Sequence, residues 1–205
     1  MIEVFIVVLV AGIFLMSVIA HEVSHGAVAL ALGDPTAKYE GRLTLNPIKH
    51  IDPWGSIVLP LVSYLSFGFA FGYAKPVPYN PYNLRNQQWG PAMVAVAGPL
   101  TNIVLAVAVA IIYRLLPETS QYLMQYRDIL AFVVSINIWL AIFNLVPIPP
   151  LDGSKVLAAV LPYRMRTIID AIEAYGIIFL LIFVFFFVNL LGPLFSRIVL
   201  ALLGS

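Results

Sequence analysis

Residues 1–32 read MIEVFIVVLVAGIFLMSVIAHEVSHGAVALAL. One charge, Glu3, precedes an otherwise hydrocarbon run to Ala20, and hydropathy of that kind predicts a helix in lipid. Inside the run stands the pentad His21-Glu22-Val23-Ser24-His25. On a helix, positions i and i+4 share a face, so His21 and His25 can hold one metal ion together. Glu22 sits beside them, placed to act on a water at that ion. Ionisable groups are costly at membrane depth, so three in one turn ask for a functional explanation.

Composition agrees with lipid as the solvent. The chain has 205 residues, 61% hydrophobic and 10% charged, where a soluble domain carries about 25% charged residues. Mean hydropathy is +0.97. This predicts one integral-membrane domain over 1–205, with C-terminal membrane helices at about 168–204. A net charge of +1 gives no case for a nucleic-acid partner. Cysteine is absent, which excludes disulfides and thiolate ligands. The N-terminus is not read as a signal peptide: it lacks a basic stretch, carries Glu3 and runs directly into the pentad.

Apolar runs lie at about 2–32, 55–72, 91–113, 129–146 and 172–191, with a shorter one at 194–203 after Gly192-Pro193. These predict an all-α polytopic bundle of about five to six membrane segments. The run 55–72 is marginal, contains Pro60 and ends in the Gly-rich 67–72. The segments 38–45 and 72–79 flank it. The first shows strand-like alternation, and the second reads as an extended edge because of its prolines, so a small surface β-sheet is expected.

Basic residues discriminate between two topologies. If 55–72 spans, they divide evenly between the two sides. If it dips in and returns, loops 33–54, 73–90 and 147–171 share one side, with eight Lys and Arg against two in loop 114–128. The positive-inside rule prefers this re-entrant arrangement and makes the eight-charge side cytoplasmic.

Catalytic zinc commonly takes three protein ligands. Beyond the pentad, the candidates are His50, the only other histidine, and Asp152 in NLVPIPPLDG at 144–153. The re-entrant topology brings Asp152 out on the side of His21 and His25; the fully spanning one does not. Each residue also has a structural alternative. Two buried histidines can bond neighbouring helices, Asp152 can cap the helix beginning near Gly153, and His50 can make a loop hydrogen bond. Asn102 and Asn144 can join helix to helix as amides do in lipid.

HEVSHG at 21–26, AGPLTN at 97–102 and NLVPIPPLDG at 144–153 resemble the site-2 protease family of intramembrane zinc metalloproteases. NPIKHIDPWG at 46–55 and AKPVP at 74–78 are similar to a compact prokaryotic branch of that family. The resemblance covers about residues 10–160 in order. It implies one Zn2+ held by His21, His25 and Asp152, with Glu22 as general base. It implies that Asn144 assists at the site, and Asn102 is carried as a second supporting residue. The expected substrate is a membrane protein with a transmembrane segment, and the expected location is a prokaryotic plasma membrane with the site opening to the cytoplasm. No room remains for a PDZ or nucleotide-sensing domain. A helical substrate must unwind before cleavage, and the edge at 38–45 or 74–79 is the candidate to hold it by β-addition. The rival readings are a silent membrane zinc binder, which would not need Glu22, and a metal transporter, which would need more polar residues along a path.

Overall fold

The computed structural model describes residues 2–67, 75–117, 121–162 and 175–204. The chain forms two compact units, Met1–Arg85 and Asn86–Ser205.

The first unit is organised by α1, Ile2–Ala31. Its portion Val8–Ala31 is long and apolar enough to cross a membrane. Thirty residues rise about 45 Å, against a hydrocarbon core of about 30 Å. Ser17, His21, His25 and Ala29 are buried and recur every four residues, which is one helical stripe. Val8, Val10, Phe14 and Met16 are exposed apolar residues, the composition of a lipid-facing surface. Beyond α1, the short α2 covers Thr36–Tyr39. A 3-10 turn follows at Pro47–Lys49, then a π-helical turn at Pro53–Val58 that leads into α3, Leu59–Phe67. An extended segment from Lys75 ends in a 3-10 turn at Pro81–Asn83.

Three of these turns start alike. Asn46-Pro47, Asp52-Pro53 and Asn80-Pro81 each place an Asx side chain as acceptor for a backbone N–H two or three residues on, with Pro at the first turn position. The proline has no N–H to satisfy there, and its fixed φ suits the turn.

The second unit packs α4, Gly90–Leu115, against α5, Gln121–Asn144. The buried side of α4 is built from small residues, including Ala95, Pro99, Asn102, Ala106 and Ala110 at helical spacing. Small residues let helix backbones approach closely in lipid, where hydrophobicity alone does not drive association. Ala106 and Ala110 meet Val134, Ile138 and Val199 in the core. The helix α6 covers Asp152–Val160, and α7 covers Gly176–Leu203. Arg114, in the last turn of α4, donates to the Leu202 carbonyl (2.7 Å) and to that of Ala201, satisfying two orphan acceptors at the end of α7.

Two expectations are corrected. No β-strand occurs among the described residues, so the small surface sheet is absent. In place of the alternating segment 38–45, the chain forms α2 and then a bend. The segment 75–79 forms no regular secondary structure, and several of its backbone groups are engaged elsewhere. Lys75 N–H goes to the His50 carbonyl, and the Lys75 and Pro76 carbonyls accept from Arg42. Pro76 and Pro78 have no N–H to offer a ladder.

The second correction concerns the number of spans. Among the described residues, three helices qualify as membrane spans, at Val8–Ala31, Gly90–Leu115 and Tyr126–Asn144, rather than five to six segments. At 53–67 a π turn and a nine-residue helix are too short to cross. The runs 172–191 and 194–203 are not separate, because α7 continues through Gly192-Pro193. The Gly-rich 68–72 and the segment 168–174 lie outside the described residues.

Candidate metal centre

The buried stripe of α1 presents His21 and His25 one turn apart. Their relative exposures are 4% and 9%, and their rings stand edge to face with centroids 4.6 Å apart. One potential ligand atom from each of His21, Glu22 and His25 lies within 4.8 Å of the others. The four ligand atoms of a tetrahedral zinc are about 3.3 Å apart, given bonds of about 2.0–2.1 Å. Two imidazoles one turn apart are donors of the right chemistry, so His21 and His25 fit two ligand positions of a zinc ion, with the Glu22 carboxylate beside it. Ser24 donates to the His21 carbonyl (2.6 Å), an i−3 bond that keeps its hydroxyl on the helix backbone.

Glu22 is half-buried and takes a contact that the sequence does not announce. The Val77 N–H donates to its Oε2 at 2.9 Å. One turn further along α1, Gly26 seats the Val77 side chain. A Cβ at position 26 would stand 2.6 Å from Val77 Cγ1, 2.7 Å from Leu43 Cδ2 and 3.0 Å from the Ala37 Cβ. The extended segment is therefore clipped to α1 twice, by a hydrogen bond at Glu22 and by packing at Gly26. Val77 is 6% exposed as a result.

Arg42 and His50 hold the same segment from the other side. Arg42 Nη2 donates to the carbonyls of Lys75 (2.7 Å) and Pro76 (3.2 Å). The His50 carbonyl accepts from Lys75 N–H (2.9 Å). His50 is fully buried, and its Nε2 donates to the Thr44 carbonyl at 2.8 Å. It makes that loop hydrogen bond and is not among the converging metal donors. Two buried polar atoms here, Arg42 Nε and His50 Nδ1, have no hydrogen-bond partner.

A second buried carboxylate, also missed in the sequence, ties the end of α1 to the chain beyond Tyr79. Asp34 is fully buried. It accepts from Thr36 Oγ1 (2.6 Å), Thr36 N–H (3.2 Å), Asn80 N–H (2.6 Å) and Asn83 Nδ2 (2.9 Å). Burial pushes its carboxyl up, but these donors outweigh burial and hold it below the ordinary value of 3.8.

The remaining candidates lie in the second unit. Asp152 is the first residue of α6, and the capping position belongs to Leu151. Next to it, Gly153 is packed so closely on the loop that a Cβ would strike the carbonyls of Leu145 and Val146. Asn102 is fully buried and donates to Asn137 Oδ1 (2.8 Å), an amide pair between α4 and α5. Asn137 in turn donates to the Val133 carbonyl (2.9 Å). Asn144, the last residue of α5, donates to the Leu140 carbonyl one turn back (2.9 Å).

The sequence matches Peptidase family M50 over residues 9–125 and 119–188. It is 36% identical over 83% of its length to the "Putative zinc metalloprotease YwhC" of Bacillus subtilis, covering 77% of that protein. It is 31% identical over 72% of its length to the "Putative zinc metalloprotease Rip2" of Mycolicibacterium smegmatis, covering 54% of it. With the Mycobacterium tuberculosis protein of that name it is 27% identical over 86% of its length, covering 66%. The chain thus spans between about half and three quarters of the length of these relatives. No solved structure matches.

Proposed function

The chain belongs to peptidase family M50, the site-2 protease family, and from that premise we propose that it is an intramembrane zinc endopeptidase using Glu22 as its general base. The observation that carries the reading is the convergence of His21, Glu22 and His25, the two histidines on the buried stripe, on a helix apolar enough to cross a membrane. His21 and His25 would be two ligands of one zinc ion. Asp152 is proposed as the third on the strength of its NLVPIPPLDG motif and the family resemblance. When bound, zinc supplies Lewis acidity that polarises a scissile carbonyl and acidifies water.

The chain's own residues do the rest. Glu22 accepts a proton from the attacking water and delivers it to the leaving nitrogen. Its Oε2 is anchored by Val77 N–H, which leaves Oε1 for that transfer. The buried stripe around the histidines limits bulk water. The proposed substrates are membrane proteins with a transmembrane segment. β-addition at 75–79 is not part of this reading, because no strand forms there and the backbone groups of Lys75, the Pro76 carbonyl and the Val77 N–H are already bonded. Asn102 is read as a helix-joining amide through Asn137, and Asn144, at the end of α5 near the Asp152 loop, as a supporting residue.

Three spans, α1, α4 and α5, would leave loops 33–54, 73–90 and 147–171 on one side of the membrane, with eight basic residues against two in loop 114–128. By the positive-inside rule that side is cytoplasmic, in a prokaryotic plasma membrane.

The test is cleavage of a panel of single-span substrates by purified protein in liposomes. Wild type is compared with Glu22→Gln, with zinc measured on both. Glu22→Gln should lose about 10²–10⁴-fold in kcat at equal zinc content. Equal cleavage by both would remove Glu22 from the chemistry. Asp152→Ala should lose zinc affinity by more than the roughly 10–100-fold that changes to groups behind a ligand produce. Unchanged zinc affinity would exclude Asp152 as a ligand.

A further inference from the structure

Arg42 is the least economical residue in the first unit. It is 5% exposed, and its guanidinium meets no carboxylate among the described residues. Its bonds go to two backbone carbonyls, and its Nε has no partner. Buried charges are ordinarily paired, because an isolated one is costly to desolvate.

What Arg42 holds explains the placement. Its two acceptors are Lys75 and Pro76, the residues immediately before Val77. Within Pro76-Val77-Pro78 only Val77 carries an N–H, and that N–H is the one given to Glu22 (2.9 Å). The flanking prolines fix their own φ and restrict the residue before each to extended backbone, so the donor's direction follows from where Lys75 and Pro76 are pinned. The His50 carbonyl, on Lys75 N–H, sets the other end. A carboxylate on a flexible two-carbon stem gains most from such a brace, since a displacement of about 1 Å at a reacting group can cost a hundredfold in rate.

We propose that Arg42 is a positioning residue for proton transfer: by pinning Lys75 and Pro76 it aims the Val77 N–H at Glu22 and fixes that carboxylate for catalysis. This rests on the protease reading for its kinetic consequence and on the observed contacts for its structural one, and each is tested separately.

The structural arm uses metal-free protein, labelled with 15N-valine in nanodiscs, and needs no substrate. The Val77 amide resonance is identified by its loss in Val77→Ile. It should shift in Glu22→Gln and shift likewise in Arg42→Gln. An unchanged Val77 resonance in Arg42→Gln overturns the proposal, whether or not any substrate is cleaved. The kinetic arm compares zinc-loaded variants on a substrate that wild type cleaves and Glu22→Gln does not. Arg42→Gln should lower kcat by about ten- to a hundredfold, with KM and zinc content within about twofold of wild type. Arg42→Lys, which can still donate to a carbonyl, should recover part of the loss. Val77→Pro deletes the N–H within an already extended Pro-flanked segment and should reproduce the loss. It also carries the test should Arg42→Gln fail to fold. The double variant should be no worse than Val77→Pro alone, because both changes break one chain of contacts. Additive losses, wild-type kcat in Val77→Pro, or a rise in activity showing that the segment obstructs the site would each overturn it.

Discussion

At the residue scale, Asp34 is expected to contribute to the acid sensitivity of the first unit. Four hydrogen bonds to its carboxylate are made only in the fold, and they lower its pKa despite burial. The sign follows from linkage. A depressed carboxyl stabilises the fold fully above its unfolded value, near 3.8, and loses that contribution as pH falls through the lower folded value. Thermal unfolding in detergent should therefore show wild type losing stability progressively below about pH 4. Asp34→Asn should be destabilised at neutral pH by about 1–3 kcal/mol, because an amide cannot accept from every donor that now faces it. The variant should also show a shallower acid slope; an identical slope would mean that Asp34 does not govern it. His21, Glu22 and His25 were legible in the sequence because the helix period alone puts them together. Val77 was not. It lies 55 positions from Glu22, and no local pattern announces that a backbone N–H will return to a carboxylate. The one available hint was Gly26 directly after the pentad, whose lack of a side chain makes the seat.

At the element scale, sequence reading failed where side chains replaced the ladder that strands would have formed. Pro76 and Pro78 suggested an extended sheet edge at 72–79, but among the described residues the partners of 75–77 are Arg42, the His50 carbonyl and Glu22 rather than another strand. Likewise Gly192-Pro193 read as a break, yet α7 passes through it. Proline is tolerated in apolar helices when neighbouring groups absorb the lost bond. The loop before α6 is a case where the glycine could be read but its reason could not. A glycine permits close backbone approach, and the groups that Gly153 approaches are the chain's own Leu145 and Val146 carbonyls. A methyl there has no space, and backbone carbonyls cannot rotate away as a side chain would. Gly153→Ala should therefore push α6 from its loop and destabilise the protein by about 1–3 kcal/mol. Zinc content should fall with it, if the neighbouring Asp152 is the ligand proposed. Tm and bound zinc measured on one preparation separate the two effects. A lowered Tm with full zinc would confine the role of Gly153 to packing.

At the scale of the whole molecule, the spans and the charges bear on one arrangement from different directions. Counting apolar helices uses backbone length and hydrocarbon content, whereas the positive-inside rule uses only Lys and Arg. With α1, α4 and α5 as the crossings, residues 40, 87 and 162 fall on one side and 117 on the other. If 53–72 also crossed, residue 40 would join 117, opposite 87 and 162. The chain contains no cysteine, so single cysteines can be introduced without background. Glu40, Gln87, Pro162 and Pro117 are exposed, which makes each a usable labelling position. An impermeant maleimide applied to intact cells should label only Pro117→Cys, and all four should react once the membrane is opened. Labelling of Glu40→Cys together with Pro117→Cys would restore the extra crossing and put Asp152 on the opposite side from His21 and His25. The proposed ligand set would then fail on topology alone, whatever the zinc affinity of the pentad. The direction of labelling thus tests the third ligand as well as the fold, because a metal in lipid can take ligands only from chain that reaches its depth from the same side.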